Sequence, residues 1–232
     1  MDNNNIYRTI IQDLLVTKKD LDNLHDNDIC MEIIGARYLF HPEGIIDGTS
    51  EKYMEAELKW YRAMDLCIDN YDIIKDNPIW KNCATKNGLV NSNYGWAVWS
   101  KENHFQYNNA LDELLKNKDT RQAIMVYTRP NIHDEKNDGV HANRDMFCTC
   151  YTDCLIRDDI LIYTVHMRSN DLWYGMRYDL AWHQYLYNSL YEALKQKYKD
   201  LKKGHIFWFA DSLHVYKRNY DSIIDWLDKH SN

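Results

Sequence analysis

The chain has 232 residues, enough for one large domain or two small ones with a sizeable hydrophobic core. With 45% hydrophobic and 27% charged residues it has the composition of an ordinary soluble globular protein, which excludes a largely disordered or membrane chain. The net charge of −7 argues against a broad cationic surface for nucleic acid.

The first residues lack the basic segment and the apolar core of a signal peptide. No apolar run approaches the ~18 residues that a transmembrane helix needs. We therefore expect a cytoplasmic protein that contacts neither membranes nor nucleic acids directly. Because the cytoplasm is reducing, the six cysteines should be thiols rather than disulfides.

Helices and strands are predicted from the spacing of apolar residues and from turn signals. In chain order they begin with a helix over 6–18, a strand over 31–40, a helix from Ser50, an irregular stretch over 76–92, a helix over 110–115 and a buried strand over 123–128. After a polar loop over 130–144 come a hairpin of strands 146–156 and 160–167, a helix over 178–199, a buried strand over 205–210 and a helix over 220–229. This order lacks a βαβ rhythm and predicts an α+β fold around one mixed sheet, as a single domain over 1–232.

Three cysteines, Cys148, Cys150 and Cys154, fall in the first strand of the predicted hairpin and share one face of it. A zinc site is one interpretation, although no second pair of ligands stands at a zinc-site spacing. The alternative for Cys150 and Cys154 is that they are small buried apolar residues.

Cys148 differs from the other two because the predicted hairpin brings it towards the segment Arg168-Ser-Asn-Asp171. A guanidinium and a hydroxyl at the end of a buried strand suit a phosphate group. A cation near a thiol also favours the thiolate, which is the nucleophilic form. Cys148 is therefore a candidate nucleophile, and the alternative for Arg168 is a surface ion pair with Asp171.

Glu57 lies on an apolar stretch of the second predicted helix, among residues such as Met54, Leu58 and Trp60. A carboxylate in that position is destabilising unless it is paired or protonated, so its pKa should rise towards general acid-base use. The alternative is a carboxylate that reaches solvent at the edge of the apolar face.

Several short motifs occur along roughly residues 31–220, in one order and at consistent separations. They include Glu32-Ile-Ile-Gly-Ala36, Glu57-Leu-Lys-Trp-Tyr61, Ile79-Trp80, Asn91-Ser-Asn-Tyr-Gly-Trp96, Tyr127-Thr-Arg-Pro130, Cys148-Thr149, Arg168-Ser-Asn-Asp171 and Ser212-Leu-His-Val-Tyr216. Together they resemble thymidylate synthases and, more closely, their viral relatives, the deoxycytidylate hydroxymethylases. The resemblance implies a thymidylate synthase-like fold, with a mixed sheet flanked by helices, in a homodimer packed sheet to sheet.

The resemblance also implies transfer of a one-carbon unit from 5,10-methylenetetrahydrofolate to C5 of a pyrimidine nucleotide, without a metal. Cys148 matches the nucleophile that adds to C6 of the ring, and Glu57 matches the catalytic glutamate. Elimination of tetrahydrofolate then leaves an exocyclic methylene on C5. Hydride from the folate would convert it to a methyl group, whereas water would convert it to a hydroxymethyl group.

Asp179 stands where thymidylate synthases carry an asparagine that reads uracil. A protonated aspartic acid offers a hydroxyl donor and a carbonyl acceptor, which match the N3 acceptor and N4 amino donor of cytosine. A mispaired buried polar group is destabilising by about 1–3 kcal/mol, enough to select a base. We therefore predict dCMP as substrate. The closer resemblance to the hydroxymethylases implies 5-hydroxymethyl-dCMP as product, a point that Asp179 does not decide. Taken without the resemblance, an acid at the beginning of a helix would complement the helix dipole.

The remaining site residues follow from the resemblance, position by position. Arg168 and Ser169, with Arg121 donated by the partner subunit of the homodimer, match the phosphate site; His214 and Tyr216 match the sugar site; Tyr94 matches a tyrosine near the nucleophile; and Trp80, Asp171 and Gly175 match the folate site. Core packing is the alternative for Trp80. The chain departs from the family at Gln122, where a second phosphate-binding arginine is usual.

Several alternatives stay open at this stage. The chain could be a C5-methyltransferase acting on dCMP or dUMP and ending in hydride transfer, or a hydroxymethylase acting on CMP. It could also be an inactive nucleotide- or folate-binding relative, or a zinc protein built on the three clustered cysteines. If the source is viral, the expected location is the host cytoplasm.

Overall fold

The computed structural model describes residues 2–17, 29–132 and 145–230. In chain order its elements are α1 (Asn3–Thr17), β1 (Cys30–Phe40), α2 (Glu51–Ala63), α3 (Asp72–Lys75), α4 (Pro78–Cys83), α5 (Tyr94–Trp99), α6 (Gln106–Lys116), β2 (Ile124–Val126), β3 (Thr149–Arg157), β4 (Ile160–Met167), β5 (Asn170–Asp171), α7 (Met176–Lys197), β6 (Lys202–Tyr216) and α8 (Tyr220–Lys229). Across these described stretches, no helix is long and apolar enough to cross a bilayer.

The chain forms two compact units, one of Met1–Thr49 with Leu155–Asn232 and one of Ser50–Cys154. We call them the first and the second unit. Strand β3 belongs to both, because its residues 149–154 lie in the second unit and 155–157 in the first. That the chain is a single domain stays a prediction.

The first unit is built on a mixed sheet in which β6 is central. Strand β1 pairs with β6 antiparallel, with Met31 opposite Val215, and β4 pairs with it parallel, with Val165 opposite Trp208. The short β5 pairs parallel with the end of β6. A two-residue turn joins β3 to β4, and both of its residues, Asp158 and Asp159, have positive φ (51° and 58°), as tight hairpins require.

Burial explains why these sequences form strands and helices at these positions. Alternate residues of β4 are buried, as expected for a strand with one face against a core. Helix α7 supplies eleven buried side chains, among them Trp182 and Leu190. Helix α1 is attached through Tyr7, whose hydroxyl donates to the carbonyl of Leu172 at 2.9 Å and whose ring meets Trp226 edge-on.

In the second unit, α2 and α5 pack closely against each other. The hydroxyl of Ser50 caps the beginning of α2, and the side chain of Asn93 caps α5. A Cβ on Gly95 would lie 1.8 Å from the carbonyl oxygen of Tyr61, so only glycine permits this approach. Strand β2 pairs antiparallel with β3, with Ile124 opposite Asp153.

Most predicted elements are confirmed, including the α+β class and the mixed sheet, but several details are wrong. The short α3 and β5 were not predicted, and the strand predicted over 205–210 runs from Lys202 to Tyr216. The stretch 76–92 is not irregular throughout, because Asn77 caps a short helix and Pro78 occupies its first turn. Helix α5 was not predicted. Strand β2 has three residues, and only the middle one is buried. The first hairpin strand begins at Thr149, so Cys148 precedes it rather than lying within it. Most of the predicted loop 130–144 lies outside the described residues.

Candidate active site

Cys148 is half-buried and lies immediately before β3. Tyr94 contacts the residues on both sides of it. The Tyr94 ring stacks on Phe147 with centroids 5.9 Å apart, and its hydroxyl accepts a hydrogen bond from the backbone N–H of Thr149 at 3.3 Å. The prediction that Tyr94 lies near the candidate nucleophile is therefore consistent with the second unit, where one buried tyrosine holds the segment that carries the thiol.

Glu57 is buried, with 6% of its surface exposed. Its Oε1 accepts hydrogen bonds from the hydroxyl of Tyr53 at 2.9 Å and from Nε1 of Trp80 at 3.3 Å. Burial raises the pKa of Glu57 to about 7, although hydrogen bonds from Tyr53, Trp80 and Tyr61 oppose the shift. Near neutral pH this carboxyl is thus divided between its acid and its base form, which suits proton transfer.

Tyr53 is a contact of Glu57 that was not predicted. Its hydroxyl also accepts from Nε1 of Trp80 at 2.9 Å, so the three side chains contact one another in a triangle of hydrogen bonds. A signal was present in the sequence, since Tyr53 and Glu57 stand four residues apart on one helix and such pairs meet.

Trp80 lies on α4, half-buried, with its ring edge-on to Trp60 at 4.7 Å. The neighbouring Ile79 is 48% exposed. Helix α4 therefore presents apolar surface beside a tryptophan whose indole N–H is directed to the Tyr53 and Glu57 pair. Core packing and ligand contact are both compatible with this position.

The other two clustered cysteines differ from Cys148. Cys154 is fully buried, and this burial raises the pKa of its thiol far above the usual range. Cys150 is half-buried, so the expectation of a buried apolar residue is correct for Cys154 alone. None of the six cysteines, all of them among the described residues, forms a disulfide. The described stretches contain no group of three His, Cys, Asp or Glu side chains that could hold a metal ion.

Arg121 is exposed and follows the short connection after α6. Its neighbour Gln122 is also exposed and donates its backbone N–H to the hydroxyl of Thr120 at 3.1 Å. An exposed arginine at this position is available to a ligand or a second subunit. Whether it crosses to a partner subunit stays a prediction.

In the first unit, β4 ends at Met167, and Arg168 and Ser169 follow directly. Both are half-buried. The prediction that this pair stands at the end of a buried strand is therefore correct in its placement, and a phosphate role for it stays a prediction.

Asp179 lies in the first turn of α7 and is half-buried. Its Oδ2 accepts a hydrogen bond from Nδ2 of Asn170 at 2.9 Å. The amide oxygen of Asn170 in turn accepts from Nε1 of the fully buried Trp208 at 3.1 Å. Asn170 was not identified as a site residue from the sequence, because the nine-residue separation of Asn170 and Asp179 along the chain does not indicate a contact between them.

Asp171 and Gly175 shape the turn before α7. The Oδ1 of Asp171 accepts from the backbone N–H groups of Trp173 and Tyr174, and burial raises the pKa of this carboxyl. A Cβ on Gly175 would lie 2.9 Å from the carbonyl oxygen of Asp171 and 3.2 Å from Oδ2 of Asp179. Without a side chain, Gly175 can therefore lie close to the backbone of Asp171 and to the carboxylate of Asp179, a structural role in addition to the predicted one.

His214 and Tyr216 alternate along β6, as predicted, and their rings meet edge-on at 5.1 Å. His214 is buried, and one of its ring nitrogens lies 3.3 Å from the hydroxyl of Ser212. In the sheet, His214 stands opposite Asp171 of β5. The first unit thus brings the predicted sugar-binding histidine next to a predicted folate-binding aspartate.

Comparison with known proteins agrees with this architecture. The family model described as thymidylate synthase matches residues 48–232. The chain is 39% identical over 200 residues to proteins named deoxycytidylate 5-hydroxymethyltransferase from enterobacteria phages T4 and T2, covering 84% of this chain and 79% of each relative.

Among solved structures, the thermostable thymidylate synthase A from Bacillus subtilis aligns with a TM-score of 0.73. That alignment covers 98% of this chain and 84% of the other, at 19% identity, and therefore bears on the fold. The family match, the phage relatives and the shared fold lead to one conclusion: this chain belongs to the thymidylate synthase family.

Proposed function

We propose that the protein is a deoxycytidylate 5-hydroxymethyltransferase. It would transfer a one-carbon unit from 5,10-methylenetetrahydrofolate to C5 of dCMP and add water, giving 5-hydroxymethyl-dCMP and tetrahydrofolate. The observation that carries the proposal is Asp179, a carboxyl group where the family's uracil-specific members have an amide, held by a hydrogen bond from Asn170. The phage relatives named for this reaction support the same choice.

In the proposed reaction the sulfur of Cys148 forms a bond to C6 of cytosine, and the C5–C6 double bond opens. C5 then attacks the methylene of the folate, loses its proton, and tetrahydrofolate leaves with the electrons of its nitrogen–carbon bond. Water adds to the exocyclic methylene, and Cys148 departs from C6 to restore the ring. Tyr94 holds the backbone beside the thiol through these steps.

Glu57 is proposed to move protons and to order the attacking water. Its pKa of about 7 lets it give and take a proton at neutral pH without a large energy penalty. Its contacts with Tyr53 and Trp80 fix the orientation of one oxygen. The choice between water and hydride decides whether the product carries a hydroxymethyl or a methyl group.

Asp179 is proposed to read cytosine in its protonated form, with one oxygen accepting a hydrogen bond from the N4 amino group and the hydroxyl donating one to N3. Uracil would place a donor at N3 and an acceptor at O4, so both contacts would be mispaired. Such mispairing weakens the binding of uracil relative to cytosine by about 1–3 kcal/mol per buried polar group.

For the nucleotide's phosphate and sugar we propose Arg168, Ser169, His214 and Tyr216, together with Arg121 from the second subunit of a homodimer. Arg121 is exposed, which such a contribution requires. One arginine fewer than usual, with Gln122 in its place, implies weaker binding of the 5′-phosphate. This arrangement makes the dimer part of the catalytic site.

Residues proposed for the folate fit its chemistry. The exposed Ile79 and the half-buried Trp80 offer apolar surface to an aromatic ring system, while Asp171 offers a carboxyl group to ring N–H donors. Gly175 packs closely on the backbone of Asp171 and is proposed to hold this part of the folate site in place. The folate supplies the methylene group, and these residues orient it.

The test is mass spectrometry of the nucleotide product from dCMP and 5,10-methylenetetrahydrofolate, with dUMP and CMP in parallel. We expect a gain of CH2O on dCMP alone, and no product from a Cys148→Ala protein. Cys150→Ala is the matched control and should keep activity, because Cys150 has no proposed role.

Each other outcome has a defined meaning. A gain of CH2 on dCMP would show that hydride rather than water completes the reaction. Product from dUMP in preference to dCMP would overturn the role of Asp179, and product from CMP would place the enzyme among ribonucleotide hydroxymethylases. Binding of nucleotide without any product would indicate an inactive relative.

A further inference from the structure

Asp179 is proposed to distinguish cytosine from uracil, but a carboxyl group has two chemically equal oxygens and can carry its proton on either one. Unassisted, it could present its donor and acceptor in either order to the base. Something in the protein must therefore assign one role to each oxygen if the group is to read a base edge with its full selectivity.

The hydrogen bonds from Trp208 to Asn170 and from Asn170 to Asp179 make the two oxygens of Asp179 different. An indole N–H can only donate, so the atom of Asn170 that faces Trp208 must be its carbonyl oxygen. The amide of Asn170 is thereby fixed in one of its two orientations. Its NH2 group must then face Asp179, and an amide NH2 can only donate.

Oδ2 of Asp179 lies 2.9 Å from that NH2 group and must therefore accept a hydrogen bond from it. The carbonyl oxygen of a carboxylic acid is a better acceptor than its hydroxyl oxygen. The donor from Asn170 thus favours the proton on Oδ1, leaving Oδ2 as the acceptor. An acid protonated in this way would read cytosine with N4 donating to Oδ2 and Oδ1 donating to N3.

Burial makes the arrangement rigid. Trp208 is fully buried and Asn170 is 1% exposed, so water does not compete for the hydrogen bond that fixes the amide of Asn170. Backbone pairing holds both residues, because Asn170 belongs to β5, which pairs with β6, the strand that carries Trp208. Gly175 packs close to the same Oδ2, where a Cβ would lie 3.2 Å from it.

We propose that Asn170, oriented by Trp208, is a positioning residue that determines base specificity by assigning the acceptor role to Oδ2 of Asp179. This inference rests on the proposed function, since it deepens the role of Asp179 in reading cytosine. It predicts that selectivity between cytosine and uracil depends on a residue that need not touch the base.

The experiment measures kcat and KM for dCMP and dUMP with the wild-type protein and the variants Asn170→Leu and Trp208→Phe. For Asn170→Leu we expect the ratio of kcat/KM for dCMP over dUMP to fall at least about 10-fold, mainly through the KM for dCMP. For Trp208→Phe we expect a smaller fall in this ratio, because the amide of Asn170 is still present but is free to flip between its two orientations.

A double variant tests whether the two residues act as one chain. In the Asn170→Leu background, Trp208→Phe should not change the selectivity further. If the two residues acted independently, the effects of the two substitutions on selectivity would add. Asn219→Leu is the matched control, since Asn219 is equally buried in the first unit at 3% exposure. It should alter dCMP and dUMP kinetics together, as any purely structural effect would.

The failures of the two proposals are distinguishable. Wild-type protein that does not prefer dCMP overturns the proposed function whatever the variants do. Wild-type preference for dCMP that survives unchanged in a folded Asn170→Leu protein overturns the role of Asn170 alone. If Asn170→Leu does not fold, as judged by circular dichroism, Trp208→Phe carries the test, and an unchanged ratio there refutes the orientation argument.

Discussion

Replacing Glu57 by glutamine removes a titrating group from the interior while keeping its contacts. The glutamine oxygen can still accept from the hydroxyl of Tyr53 and the indole N–H of Trp80. The variant thus differs from the wild type chiefly in that it cannot ionise. Its stability should reveal how much the buried carboxyl is perturbed.

The expected magnitude follows from the raised pKa. Burial raises the pKa of Glu57 from 4.5 to about 7, so the folded protein holds a proton that the unfolded chain releases. The stabilisation from this group is complete below pH 4.5 and is lost as the pH rises through about 7. The full loss is about 3 kcal/mol, of which about 2 to 3 kcal/mol falls between pH 5 and pH 8.

The assay is urea unfolding of wild type and Glu57→Gln at pH 5 and pH 8, at one protein concentration. We expect the variant to gain about 2 to 3 kcal/mol relative to the wild type between these two pH values. Glu55→Gln is the matched control, because Glu55 is exposed on the same helix and should give no such change. A pH-independent difference between wild type and Glu57→Gln would refute the argument that burial raises this pKa.

Three further predictions concern the second unit. Gly95→Ala should destabilise the protein by about 3 kcal/mol or more, measured by thermal unfolding, because the new Cβ would lie 1.8 Å from the carbonyl oxygen of Tyr61. Tyr94→Phe removes the acceptor for the Thr149 N–H and should lower kcat about 10-fold with a stability loss of only about 1 kcal/mol. Cys154 should resist alkylation by iodoacetamide at neutral pH in the folded protein, because its thiol is fully buried and its pKa is raised.

Controls for these predictions come from the same chain. Gly35→Ala meets no atom within 4 Å and should be destabilising only through its positive φ, by about 1 kcal/mol. Unchanged kcat in Tyr94→Phe would show that the Thr149 contact does not hold the catalytic segment. Peptide mass spectrometry compares Cys154 with the half-buried Cys148, and equal labelling of both would contradict the burial argument.

Local interactions explain what the sequence alone determined. Helices α1, α2, α7 and α8 and strands β1 and β4 were predictable because apolar residues recur in each of them at the spacing of a helix or a strand. Elements of marginal length were not. Helix α5 has only six residues and depends on the cap at Asn93 and on the close approach at Gly95, which is a tertiary contact.

In the candidate site, too, local sequence features could be predicted and contacts between distant residues could not. Glu57 could be singled out from its apolar neighbours on one helix, and the motif order indicated the family to which the chain belongs. The contact of Asn170 with Asp179 could not be predicted, because the two side chains meet only when β5 has paired with β6 and α7 has begun after Gly175. The orientation of that amide depends on Trp208, far away in sequence on β6. Residue types and their order determine which chemistry is available, whereas hydrogen-bond direction depends on partners that only the folded chain brings together.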